Sequence, residues 1–544
     1  MLLSLLLLTS AHLAPVPVAD GLLGAVPADA YALVHCRDAA ALQRRAESND
    51  WYRLLGSPEG EPLLGELARE LGRGTHSDPD RLLELAAALE GEVVFFDTGT
   101  VAGLVTAPPA SRAELAGRMR DWLPRGGSAP ARALELGGAA VELVAWPDEL
   151  DGWSGRAGHF AAFVDHPRAL ALYSGDDSAA VVSAVTQGLA GLEGDQRAAL
   201  VSSYLGAGGG QGGGVELYVD FTPLVEEAEA ALREAVEDVL PDPTRLLGLE
   251  AGTWLHAGAD LFAGTRVDCR ARLHLPPDTL AARLADTFQP LPRTLPADLP
   301  AGVWGLWALN WDLKLFYERA RAAFEEAGGA EGLGTVDAGI EASKGLAGID
   351  PIVDVLNQLA GDFVFYLVEP ASAEGRRDQG LHSLGFHFGL VDGDAFLATF
   401  EQLIEVGRLE ETLDLVQIAG VDAYVMDEAD EGLDGGMAFL PRAFAAAPTR
   451  GVLERSLRAL TRAEGASLPY GSRMQAAIDE QAGACFLWCV ELTPLRAFLP
   501  DELRDGLHLP PLEEGRPVRD PFDAQLISTV RRTPEGFEFR VETR

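Results

Sequence analysis

Short apolar runs closed by turn residues alternate along this chain with longer segments whose apolar residues recur every three or four positions. The first pattern predicts strands and the second amphipathic helices. VPADAYALVHCRD (26–38) shows one junction between them. A proline-led apolar run ends at Asp38, which is placed to cap a helix predicted over 39–55. PAGVWGLWALNWD (300–312) has the same order, with Asp312 placed before a helix over 313–327.

The pattern repeats itself along the chain. SDPDRLLELAAALEGEVVFF (77–96) and IDPIVDVLNQLAGDFVFY (349–366) share an Asp-Pro, a helical apolar period, a Gly-acid pair and an apolar strand. Asp78 and Asp350 fit helix caps, with Pro79 and Pro351 at the first helical position. Gly91 and Gly361 are expected to end the helices before strands at 93–96 and 363–366. VELYVDFTPL (215–224) and CFLWCVELTPL (485–495) form a second pair, in which Thr222 and Thr493 fit caps before Pro223 and Pro494. Asp350 lies 272 residues after Asp78, and Thr493 lies 271 after Thr222. Two separate matches at nearly one spacing point to a tandem duplication. Weaker matches fill the interval in the same order: 103–123 with 389–407, and 133–152 with 415–435.

The expected fold is therefore α+β, in two tandem, structurally similar copies, each a mainly antiparallel sheet with packed helices. Short hairpin links such as VELVAW and GHFAAFV favour antiparallel over parallel pairing. The first copy is expected at 20–288 and the second at 296–544. Between them QPLPRTLPADLP (289–300) reads as a semi-rigid proline-rich connector. The chain should end on a hairpin turning at Pro534-Glu535-Gly536.

The first nineteen residues, MLLSLLLLTSAHLAPVPVA, carry a short apolar core and small residues at Ala11, Ala14 and Ala19. That core is too short to span a bilayer and reads as a signal peptide, although no Lys or Arg precedes it. The expected location is periplasmic or extracellular, with no membrane span in the mature chain. Charge sharpens the picture. Forty-three Lys and Arg stand against 83 Asp and Glu, a net charge of −40, and Lys occurs only at 314 and 344. Such a surface repels phosphate backbones, so nucleic acid is not an expected partner.

Candidate chemistry is sparse. GGGQGGG (208–214) lacks the lysine of a phosphate loop and reads as a flexible link. His35 stands alone where the second copy has Ala308 or Leu309, so it reads as a satisfied core or edge-strand histidine. The pairs His159/His166 and His382/His387 have odd spacings, which put partners on opposite faces of a strand. The best cation candidate is the acidic loop DEADEGLD, where Asp427, Asp430 and Asp434 offer hard oxygen ligands for calcium. It lacks the spacing of a calcium-binding loop, and a solvated acidic turn is the plainer reading. Cys36, Cys269, Cys485 and Cys489 are too few for a disulfide framework. They read as buried thiols, and a Cys36–Cys269 bridge is permitted by export without being indicated.

The leader followed by PADAYALVHCRDAAAL and its repeat resembles a family of exported bacterial proteins described only as carrying a domain of unknown function. The resemblance implies no activity, cofactor or catalytic residue. What the two copies share is caps, turns and apolar strands. The leading expectation is thus a non-catalytic binding or scaffolding protein of the cell envelope, its partner an envelope protein, a peptide or a lipid. A hydrolase with a site between the copies, and a calcium-stabilised surface protein, are the alternatives.

Overall fold

A computed structural model describes residues 21–55, 88–109, 111–121, 132–145, 160–175, 177–193, 198–207, 209, 214–225, 252–262, 264–326, 330–369, 381–407, 412–426, 434–495 and 523–544. The leader, the Asp78-Pro79 pair and most of the acidic loop lie outside these residues.

Among the described residues, twenty strands form one sheet. The first ten are β1 (Ala32–Cys36), β2 (Val93–Asp97), β3 (Val101–Thr106), β4 (Arg132–Leu136), β5 (Ala139–Ala145), β6 (Phe160–His166), β7 (Ala169–Gly175), β8 (Val215–Asp220), β9 (Trp254–Leu261) and β10 (Val267–His274). The other ten are β11 (Val303–Asn310), β12 (Leu359–Val368), β13 (Leu384–Leu390), β14 (Leu413–Ile418), β15 (Val421–Met426), β16 (Gly436–Leu440), β17 (Ala443–Ala447), β18 (Phe486–Glu491), β19 (Gln525–Thr533) and β20 (Gly536–Thr543).

Every pairing between these strands is antiparallel. From one edge the first half runs β4-β5-β6-β7-β3-β2-β1-β8-β9-β10. From the other edge the second half runs β14-β15-β16-β17-β13-β12-β11-β18-β19-β20. The halves join where β10 pairs with β20, from Asp268 opposite Glu542 to His274 opposite Gly536. This continuity was not foreseen from sequence, which left each copy with its own sheet. The closing hairpin does form between β19 and β20, and its outer strand supplies the join.

The helices are α1 (Ala39–Glu47), α2 (Asp50–Leu55), α3 (Arg112–Asp121), α4 (Ser178–Glu193), α5 (Ala199–Gly206), α6 (Leu280–Ala285), α7 (Leu313–Glu326), α8 (Ala330–Ala347), α9 (Gly393–Gly407), α10 (Arg450–Leu460) and α11 (Arg473–Glu480). Asp38 and Asp312 do cap α1 and α7. Each side chain accepts the N–H three residues on, at 2.7 Å from Ala41 and 2.9 Å from Leu315. The helix expected over 39–55 is broken, because Asn49 turns the chain and caps α2 through Trp51 and Tyr52 N–H.

Four further expectations are corrected. Asp350 caps through Ile352 and Val353 N–H, but the segment it caps is a single π-helical turn, Pro351–Val355, succeeded by a 3₁₀ turn. Gly361 does not end a helix. It lies within β12, where a positive φ of 98° and an irregular register bend the strand. Thr222 stands inside a short helical turn and accepts from Gly252 N–H, while Asp220 accepts from Thr222 N–H. Thr493 likewise falls within the single turn Leu492–Leu495. Finally, 289–300 is packed rather than extended. It contains the helical turn Leu295–Asp298, and Leu295 and Leu299 enter the hydrophobic core.

Alternation along the strands gives the sheet two faces. On the front face α4 packs on β6 and β7, and α10 on β17, β13 and β16, forming the two main cores. On the back face α3 covers β6 and α9 covers β16.

Candidate binding face

The back face differs between the two halves. Across the first, its residues are chiefly aliphatic and well buried: Cys36 on β1, Thr106 on β3, Leu170 and Leu172 on β7, and Val215 and Leu217 on β8. Across the second it is aromatic. Trp307 on β11 lies opposite Phe365 on β12 and Trp488 on β18, and Phe365 lies opposite Phe386 on β13. One register step along, Leu309 lies opposite Phe363 and Phe486, Phe363 opposite Phe388, Phe388 opposite Phe444 on β17, and Phe444 opposite Phe439 on β16.

The rings touch in a continuous net. Phe365 and Phe386 stack at 4.3 Å between centroids, and Phe388 and Phe444 at 4.7 Å. Trp307 meets Phe365 and Phe486 edge to face at 5.3 and 5.6 Å. Phe396 and Phe400 of α9 extend the net to Phe439, and Tyr424 of β15 closes it against Phe400. Each such pair contributes about 0.5–1.5 kcal/mol beyond its area. Yet none of these rings is buried, and Phe365 and Trp488 are 37% and 40% exposed.

α7 carries Leu313, Leu315, Phe316, Tyr317 and Phe324, but only Ala323 of its fourteen residues is buried. α7 and α8 pack chiefly on each other, on α6, on the 351–358 turns and on α9. Arg321 of α7 holds Asp337 of α8 through two nitrogens at 2.7 and 2.8 Å.

Behind the wall, on the front face, β12 and β13 present Tyr366 and His387 to the core, with rings 5.7 Å apart. Burial pushes the Tyr366 hydroxyl up and the His387 imidazole down to about 4. Tyr366 Oη donates to Ser456 of α10 at 2.5 Å.

The first half holds a buried polar chain on its front face. Tyr204 Oη of α5 donates to Glu216 Oε2 of β8 and stands 3.0 Å from His35 Nδ1. His35 Nε2 stands 3.1 Å from Glu92 Oε1, whose partner oxygen accepts from Leu22 N–H. His35 is thus satisfied, as expected. It sits on β1 in the middle of its half-sheet, paired on both sides. These contacts tie α5 and the 22–25 turn to the sheet; sequence periodicity carries no signal for such a chain, because its members come from four distant segments.

Of the three expected cation ligands, one lies among the described residues. Asp427 and Asp430 lie outside them, and Asp434 Oδ1 accepts from Arg450 N–H at 3.0 Å, at the start of α10. No group of three His, Cys, Asp or Glu that would hold a metal occurs among the described residues. Cys36 and Cys269 are free thiols. They share a register row with Val215 and Ala259 between them, so they stand three strand spacings apart, about 14 Å. That exceeds disulfide reach. Burial pushes the Cys36 thiol up to about 12 and Cys269 up to about 11. Cys485 and Cys489 are buried and free.

The junction of the halves gathers charge. Asp268 Oδ2, its side chain 2% exposed, takes Arg270 Nη2 at 2.9 Å and Arg540 Nη2 at 3.0 Å. Arg540 Nη2 also lies 2.8 Å from Glu542. Burial raises the Asp268 carboxyl, but hydrogen bonds from the two guanidiniums outweigh it and hold the group below its ordinary value. The alternative of a hydrolytic centre between the halves finds converging Asp and Arg here, engaged with one another in ion pairs. No helix among the described residues is long and apolar enough to cross a membrane.

No protein-family model and no curated protein matches this chain. Two solved structures, crystal forms III and I of TP0453, each cover 49% of this chain and 81% of their own at 11% identity, with TM-scores of 0.22 and 0.23. A likeness that slight carries no argument about fold or function, and the reading of this chain rests on its own geometry.

Proposed function

We propose that this is an exported, non-catalytic binding protein built from two tandem copies of one α+β module, whose second copy holds an apolar ligand, a lipid chain or an apolar peptide, against its aromatic back face. Duplication is supported by strand order: adding ten to each strand number of the first half gives the second. Within that scheme the halves have diverged in complementary ways. Where β1, β8 and β9 carry His35, Glu216 and His256, the matching strands β11, β18 and β19 carry buried Ala308, Leu487 and Ile527. Where the first half has an aliphatic, covered back face, the second has the aromatic one.

The observation that carries the binding reading is the half-exposure of that ring net. A folded chain ordinarily keeps contiguous aromatic surface either buried or for a partner. A ligand covering about 400 Å² of apolar surface gains about 10 kcal/mol. Association costs at least about 4 kcal/mol, which leaves dissociation constants of tens of micromolar or tighter as coverage grows.

Mass spectrometry of organic extracts from the natively purified protein tests the proposal. An apolar molecule should be recovered in stoichiometric amount from the wild type and be depleted from Trp307→Ala/Phe386→Ser. Equal recovery from both, or none from either, counts against it.

A further inference from the structure

Toward β20 the aromatic wall continues. Val530 on β19 and Phe539 on β20 extend the register row of Phe486, and Phe537 meets Phe539 at 6.1 Å between centroids. Phe288 stands edge to face on Phe537 at 5.6 Å and stacks on Trp311 at 5.6 Å. Trp311 in turn meets Phe316 of α7 at 4.8 Å. Beside these rings the surface turns cationic. Arg532 lies opposite Phe537 in the β19–β20 ladder, so both side chains leave the same face. Arg532 Nη2 donates to Asp286 Oδ1 at 2.7 Å, and Arg319 Nη1 of α7 donates to Asp286 Oδ2 at 3.2 Å. Arg319 also donates to the carbonyl of Arg283 on α6, whose own Nη2 lies 3.5 Å from Glu326.

Three guanidiniums thus share two carboxylates, in a chain whose net charge is −40. Hydrogen-bond donors are in excess as well. Arg532 Nη1 donates to Gly536 O at 3.1 Å, but Arg532 Nε and Arg283 Nε are buried with no acceptor among the described residues. A buried N–H of a guanidinium that lacks an acceptor is a group that an anion satisfies. Arg532 and Arg319 keep 17% and 29% of their side chains exposed, so an incoming group can reach both. From β19, which carries Arg532, four strand spacings lead through β18, β11 and β12 to Phe386 on β13. That is about 19 Å, room for a lipid tail that fills one bilayer leaflet of about 15 Å. The surface is cationic at one end and aromatic along its length. A neutral lipid or an apolar peptide would use only the aromatic part; an amphiphile with one tail and an anionic head uses both.

We infer that the ligand is a single-chain amphiphile with an anionic head group, held by Arg532 and Arg319, its tail lying over Phe486, Trp307, Phe365 and Phe386. This rests on the reading of the aromatic wall as the binding surface. The test is isothermal titration calorimetry on the full chain at neutral pH, with three twelve-carbon probes below their micelle concentrations: dodecanoate, dodecyl phosphate and dodecanol. The first two separate a fatty acid from a phosphorylated lipid as the source of the head group. The wild type should bind the better anionic probe at least about tenfold tighter than dodecanol. Arg532→Gln should abolish that preference and leave dodecanol affinity unchanged. Asp286→Asn removes the carboxylate that competes for both guanidiniums. It should tighten anionic binding at least about threefold, a gain that misfolding does not produce. Trp307→Ala/Phe386→Ala should weaken all three probes. Equal affinity of the wild type for dodecanol and both anions overturns the inference. So does a preference for the anions that neither Arg532→Gln nor Asp286→Asn changes. In either case the wall remains the binding surface if the aromatic variant still weakens binding. Absence of binding by all three probes overturns both readings.

Discussion

Asp268 is the residue on which the joining of the halves bears most heavily. It is buried between Arg270 and Arg540, which lie opposite each other across the β10–β20 ladder. Replacing it with Ala leaves two guanidiniums crowded in a partly desolvated strip. We predict a loss of about 3 kcal/mol at neutral pH, measured by urea unfolding. Its depressed carboxyl sets the sign of the pH dependence. The stabilisation is complete above the unfolded value of about 3.9 and is lost as pH falls through the folded value. Asp268→Asn should therefore flatten the acid limb of the stability curve below about pH 4. His387 acts at milder pH. Burial lowers it to about 4, so its protonation opposes folding. Stability should be full above about 6.5 and decline as pH drops toward 4, by up to about 3 kcal/mol. In His387→Leu the urea midpoint should be nearly the same at pH 7 and pH 5, whereas in the wild type it should fall. Removing the Tyr204 hydroxyl, in Tyr204→Phe, takes one donor from buried Glu216 and should cost about 1–3 kcal/mol by the same measurement.

Elements were legible where a local rule governs them. Asp38 and Asp312 announce helices because capping is a three-residue interaction, and both caps form. Asp312→Ala should destabilise by about 1 kcal/mol, read from the thermal midpoint. The terminal hairpin was legible for the same reason. Its Gly536 has φ near +136°, and a Cβ there would stand 2.0 Å from Leu273 O, so only glycine fits where β20 starts beside β10. Elements were misread where a distant contact decides. The apolar period after Asp350 fits a helix, yet the chain there makes one π turn and enters β12 early, to pair with β13. Thr222 fits a cap by type, but its hydroxyl is taken by Gly252 from thirty residues away. The aromatic residues were visible in the sequence one at a time. That Trp307, Phe365, Phe386 and Phe444 share a face depends on strand order β11-β12-β13-β17, in which the last step skips three strands. No local pattern encodes that step.

At the scale of the molecule, the twenty antiparallel strands of the described residues make one sheet with two helical cores on its front and an uneven back. Sequence pointed to the α+β class and to antiparallel pairing, because both are carried by short-range pattern. It did not reveal the shared sheet, because β10 and β20 are brought together only when both halves are complete. Nor did it reveal the aromatic wall, which we propose as the ligand-binding surface. The most direct test titrates the full chain with a long-chain fatty acid carrying an environment-sensitive fluorophore. Three proteins are compared: wild type, Trp307→Ala/Phe386→Ala, and Tyr470→Ala, which alters a fully solvated ring elsewhere. The account predicts saturable binding by the wild type and the Tyr470 variant, with affinity at least about tenfold weaker in the double variant. Equal affinity in all three, or no saturable binding by the wild type, contradicts it.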